Sequence, residues 1–83
     1  MSKNRYYGKS QYLEILKIEY PGFEQFIPKL TEIEQVVIRQ RLEGHYLHDV
    51  GAAIGVTRER VRQIEAKAAR KLRWYTQYGK VTV

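Results

Sequence analysis

A glycine in the middle of an otherwise helical stretch is the strongest constraint in this chain. Residues 47–54 read as a short helix, yet Gly51 lies inside it, where glycine costs about 1 kcal/mol relative to alanine. A glycine placed there points to a close approach of another backbone. Gly55-Val56 then forms a tight link, and Thr57 offers an N-cap for a long helix expected to run through Leu72 and toward Tyr75. Val50, Ile54, Val56, Val61 and Ile64 supply apolar residues able to lock the second helix against the first. A small residue at the crossing, a glycine at the turn and an apolar lock are the parts of a helix-turn-helix. The plainer alternative is an ordinary helical hairpin.

Upstream, Leu13, Leu16 and Tyr20 recur at helical spacing behind Ser10, predicting a helix over residues 10–20. Pro21-Gly22 breaks it. Residues 23–27 predict a short helix that stops before Pro28, and Thr31 through Glu34 has the spacing of a capping box. The helix opened by Thr31 carries Ile33, Val36, Val37, Ile38, Arg41 and Leu42 as its stripe, ends near Glu43 and meets a stop at Gly44. The expected fold class is therefore all-α: a small helical bundle with a C-terminal helix-turn-helix and a long recognition helix. Its expected parts are an N-terminal extension with one helix over residues 1–22, the helix-turn-helix domain over 23–75 and a flexible tail over 76–83. The strand-like alternation of residues 78–83 has no evident partner.

Eighty-three residues leave room for one small domain and exclude a multidomain enzyme. With no cysteine, a disulfide framework and a thiolate metal site are both excluded, which suits a reducing compartment. No stretch approaches the roughly 18 apolar residues of a membrane span, and the N-terminal residues run into no apolar targeting core. The expected location is cytoplasmic and nucleoid-associated, without a membrane partner. The formal net charge of +6 favours an anionic partner, and the charge is concentrated. Between Thr57 and Arg73 stand Arg58, Arg60, Arg62, Lys67, Arg70, Lys71 and Arg73, opposed only by Glu59 and Glu65.

At 100° per residue, Val61, Ile64, Ala68 and Leu72 share the core face of the long helix, while Arg58, Glu59, Arg62 and Gln63 fall on the other side near its start. Arginine can pair bidentately with guanine, glutamate can accept from cytosine and glutamine can bridge adenine, so these four are the candidate base-contacting residues. A purely electrostatic face would not want Glu59. A merely solvated face is the alternative, in which Arg58 and Arg62 would be a mildly repulsive i,i+4 pair. Thr57 with the helix N-terminus, and Lys67, Arg70 and Arg73 farther along, are candidates for the DNA backbone.

Glu43, His45, His48 and Asp49 are close in sequence but lack a recognised ligand spacing, so neither a metal site nor a cofactor is expected. No nucleophile–base pairing supports catalysis, and no enzyme activity is expected. Trp74, Tyr75 and Tyr78 read as anchors of the helix end in the core, with base stacking as the alternative.

The run from Gly55-Val56-Thr57-Arg58-Glu59-Arg60-Val61-Arg62-Gln63-Ile64 through Arg73 closely resembles region four of bacterial sigma factors of the primary, housekeeping class. Leu30-Thr31-Glu32-Ile33-Glu34 and residues 37–42 look like the preceding helix of that region, so the resemblance covers about residues 23–73. It implies a DNA-binding transcription factor that recognises a minus-35-like promoter element in double-stranded DNA. It also implies association with RNA polymerase through the β-subunit flap, with Val36, Val37 and Leu42 as contact candidates. By position, Arg58, Glu59, Arg62 and Gln63 match the family's base-contacting residues, and Lys67, Arg70, Lys71 and Arg73 match positions that meet DNA backbone or bound activators. Ile33 and Ala69 depart from the family pattern, the latter standing where leucine is common, and no region for the downstream promoter element is present. Two alternatives remain: a regulator of anti-sigma or appropriator type that acts by protein contact, and a homodimeric repressor. Residues 1–22 lie outside the resemblance and either complete the core or offer a docking face.

Overall fold

The computed structural model describes residues 10–79. Four α-helices and one 3-10 helix make up the described residues, with no strand among them. None of these helices is long and apolar enough to cross a membrane. Helix α1, Gln11–Glu19, starts where the Ser10 hydroxyl accepts from the Leu13 amide at 3.2 Å, and it buries Leu13 and Leu16. After Pro21-Gly22 a 3-10 helix, Phe23–Lys29, buries Phe23, Phe26 and Ile27. It includes Pro28, so the expected stop before that proline is corrected. Proline's fixed φ suits a tight helical turn, and the bond it cannot donate is a single one in the last turn.

Helix α2, Glu32–Leu42, opens with both halves of the capping box. The Thr31 hydroxyl accepts from the Glu34 amide at 3.3 Å, and the Glu34 carboxylate accepts from the Thr31 amide at 3.0 Å. Helix α3, Leu47–Ile54, ends at Gly55, whose φ of +79° is left-handed backbone that favours glycine. Helix α4, Arg58–Tyr78, begins behind Thr57, whose hydroxyl accepts from the Arg60 amide at 3.1 Å. It continues past the expected end near Tyr75, so residues 76–78 are helix rather than tail. Residues 80–83, with the rest of that tail, lie outside the described residues, as do residues 1–9 of the extension.

The close approach implied by Gly51 is present: a Cβ built there would lie 2.6 Å from the Val56 carbonyl oxygen. The Val56 amide in turn donates to the Gly51 carbonyl at 2.9 Å. Around this crossing Val37, Val50, Val61 and Ile64 form one apolar cluster, with Leu47, Ile54 and Val56 against it. A larger cluster joins Leu13 and Leu16 of α1, the 3-10 helix, Leu30, Ile38 of α2 and Ala68, Ala69 and Leu72 of α4. Helix α4 is common to both clusters, about 30 Å long at 1.5 Å per residue. The extension therefore does complete the core, through Leu13 and Leu16, while Tyr12, Ile15 and Ile18 of the same helix stay exposed.

Charged residues inside the bundle join helices far apart in sequence. Arg41 Nε donates to Glu65 Oε2 at 3.1 Å with both side chains almost wholly buried, and Arg41 Nη1 donates to the His45 carbonyl at 2.7 Å. This ties the end of α2 and the following loop to the middle of α4. Lys71 donates to Glu34 at 3.0 Å. Burial pushes the Glu34 carboxyl up, but the Thr31 amide, Lys71 and the Thr31 hydroxyl outweigh it and hold the group below its ordinary value.

Candidate nucleic-acid interface

The apolar stripe of α4 decides what its other face can do. Val61, Ile64, Ala68 and Leu72 are buried as expected, and Glu65 and Ala69 join them. With that side clamped to α2, α3 and α1, the helix cannot roll. Arg58, Glu59, Arg62 and Gln63 are all exposed on the outward side of its first two turns. Thr57, Lys67, Arg70 and Arg73 are exposed as well.

The four polar residues are organised. Glu59 accepts from Arg62 Nε at 3.0 Å and from Nη2 at 2.7 Å, a two-bond fork across one turn. Arg60 donates to Gln63 at 3.4 Å. The Arg62 hydrogen bond holds the Glu59 carboxyl below its ordinary range against an opposing desolvation, and Glu59 raises the Arg62 guanidinium in return. The expected i,i+4 repulsion between Arg58 and Arg62 is thus answered by Glu59, which lies between them. The face presents donors from the arginines and both donor and acceptor from Gln63, as base edges in a major groove require. Arg60, exposed on the same two turns, joins this face only through its bond to Gln63, a contact at i,i+3 that the run of charges in the sequence could have suggested.

Farther along, Arg70 and Arg73 line a groove with Tyr12, Ile15 and Leu16 of α1 and Ala66 and Ala69 of α4. Helix α1 is thus laid beside α4, where the small side chain of Ala69 leaves room for it. Lys71 is turned inward to Glu34.

Two expectations need correction. Val37 is 0% exposed and faces the helix-turn-helix cluster, so it cannot contact a partner while the domain is folded. Val36 and Leu42 are half-buried, Leu42 packing against the larger cluster. Of the three aromatic residues, only Tyr75 anchors, its ring centroid 6.1 Å from that of Phe26. Trp74 and Tyr78 are 57% and 59% exposed and lie against each other, because α4 turns them away from the bundle. His45 pairs with Glu43 and His48 with Asp49, and no group of three or more metal-ligating side chains is assembled among the described residues.

Two helices crossed at a glycine, the second held rigidly with a polar, basic face outward, define a DNA-binding helix-turn-helix domain. Comparison with known proteins narrows the class. The chain belongs to the family "Sigma-70, region 4", whose model matches residues 26–73. This is a family of DNA-binding domains in transcription, not of enzymes. The RNA polymerase sigma factor SigA of Bacillus sp is 48% identical over 65 residues, which cover 72% of this chain and 16% of that protein. The chain thus spans about one sixth of the length of that curated relative. No solved structure matches it.

Proposed function

We propose that this chain reads a minus-35-like promoter element through the first two turns of α4 and acts in association with RNA polymerase. One observation carries the reading: Arg58, Glu59, Arg62 and Gln63 stand exposed on the outward face of a helix whose opposite face is locked by buried apolar residues. Arg58, Arg62 and Gln63 contact base edges, and Glu59 both orients Arg62 and accepts from cytosine. Thr57, Lys67, Arg70 and Arg73 meet phosphates and fix the register. Similarity to a protein named an RNA polymerase sigma factor supports the polymerase partner, with Val36 and Leu42 and the β-subunit flap as the contact. In this role the protein is a non-enzymatic regulator that acts at the nucleoid.

Selection from a randomised duplex pool tests the first part: one motif should be enriched, and loss of enrichment when all four residues are changed to alanine should follow. Capture from a cell extract tests the second, since polymerase should be retained after nuclease treatment. A pool without enrichment would leave the protein-contact reading, which the exposed Ile15, Ile18 and Trp74 favour. In that case the homodimer is tested by light scattering.

A further inference from the structure

Helix α1 lies outside residues 26–73, which match the family model, yet it is packed against α4. Its start brings Ser10, Gln11 and Tyr12 to a cavity of about 280 Å³ whose other walls include Arg62 and Leu47, the first residue of α3. Leu13 and Leu16, buried one and four residues farther along α1, anchor the helix that carries Tyr12. Tyr12 and Arg62 thus face one cavity from two different helices; Tyr12 is among the groups that favour the charged Arg62 guanidinium, and it remains 39% exposed.

An arginine side chain has many rotamers, and each must be given up before a fixed fork can meet a base. Glu59 engages Nε and Nη2 of Arg62, leaving other N–H donors of the guanidinium available. A phenol oxygen can accept one of them and still direct its own O–H elsewhere. Glu59 belongs to the same helix as Arg62 and moves with it, whereas Tyr12 faces the same cavity from a second element.

We propose that Tyr12 is a positioning residue for base reading: from the extension helix it steadies Arg62 in its groove-facing pose, so that α1 sharpens the sequence discrimination of α4. The inference rests on the base-reading role of Arg62 proposed above.

Tyr12→Phe keeps the ring and removes the hydroxyl. Binding is titrated on the duplex that the wild-type protein selects from a randomised pool, and on its single-base variants. The variant should bind the selected duplex about three- to tenfold more weakly and lose discrimination at the same base pair as Arg62→Ala. It should add no further loss in an Arg62→Ala background, and its melting temperature should match the wild type. In the free protein the Arg62 Nε–H resonance in a nitrogen-15 spectrum should shift or broaden in Tyr12→Phe. Wild-type affinity and discrimination in Tyr12→Phe, or equal losses with and without Arg62, overturn the inference. If no motif is enriched, or Arg62→Ala leaves discrimination intact, the base-reading role falls and the inference with it; an altered Nε–H resonance then shows that contact exists without that role.

Discussion

Gly51→Ala sets two magnitudes of opposite sign against each other. On helix propensity alone the substitution should stabilise α3 by about 1 kcal/mol. In the folded domain, however, the new methyl would lie 2.6 Å from the Val56 carbonyl oxygen, where ordinary contact begins at 3.4 Å. The obstructing atom is backbone and itself part of the turn, so it cannot swing aside as the end of a side chain would. Moving it disturbs the 2.9 Å hydrogen bond from the Val56 amide to the Gly51 carbonyl, worth about 1 kcal/mol. It also separates Val50 from Val61, and overpacking of this kind costs about 1–3 kcal/mol. The unfavourable contributions outweigh the favourable one, and Gly51→Ala should be destabilised by about 1–3 kcal/mol, or roughly 4–24 °C in Tm for a domain this small. Thermal and urea unfolding followed by circular dichroism measure it, with Ala52→Gly at an exposed position of the same helix as the reference for propensity. Wild-type or higher stability in Gly51→Ala would refute the close crossing.

Arg41→Ala should cost about 3–5 kcal/mol in urea unfolding by stranding Glu65, whereas Arg41→Met combined with Glu65→Leu should recover most of the loss. Glu34 has its folded value depressed below 4.5, so the stability it contributes is present above that pH and lost as pH falls through the folded value. Glu34→Gln should accordingly lose about 1 kcal/mol at neutral pH and flatten the acid limb of the stability curve. Arg73→Ala should weaken all duplexes alike and reduce the salt slope by about 0.9, measured by titration at several ionic strengths.

Local signals in the sequence proved sufficient for the helices. Ser10, Thr31 with Glu34, and Thr57 each cap the helix they announce because a cap involves residues three apart. Gly51 could be recognised because its cost within a helix has to be compensated by something outside it. The outward direction of Arg58, Glu59, Arg62 and Gln63 followed from a 3.6-residue period that packing left undisturbed. What escaped depends on partners distant in the chain. Arg41 looked like part of a helical stripe until Glu65, twenty-four residues on, joined it. Lys71 is drawn inward by Glu34 across thirty-seven residues. Val36 and Val37 are adjacent and alike, and only the positions of α3 and α4 decide that Val37 is the buried one. Trp74 and Tyr78 have the composition of core anchors, but α4 turns them away from the bundle.

If the clamped α4 offers four side chains to DNA bases, the binding profile of Arg62→Ala against every single-base variant of a selected duplex should reveal it. The profile should flatten at one base pair, with about a 5- to 150-fold loss on the selected duplex and little change on variants at that pair. A uniform loss across all variants, like that expected of Arg73→Ala, would contradict it.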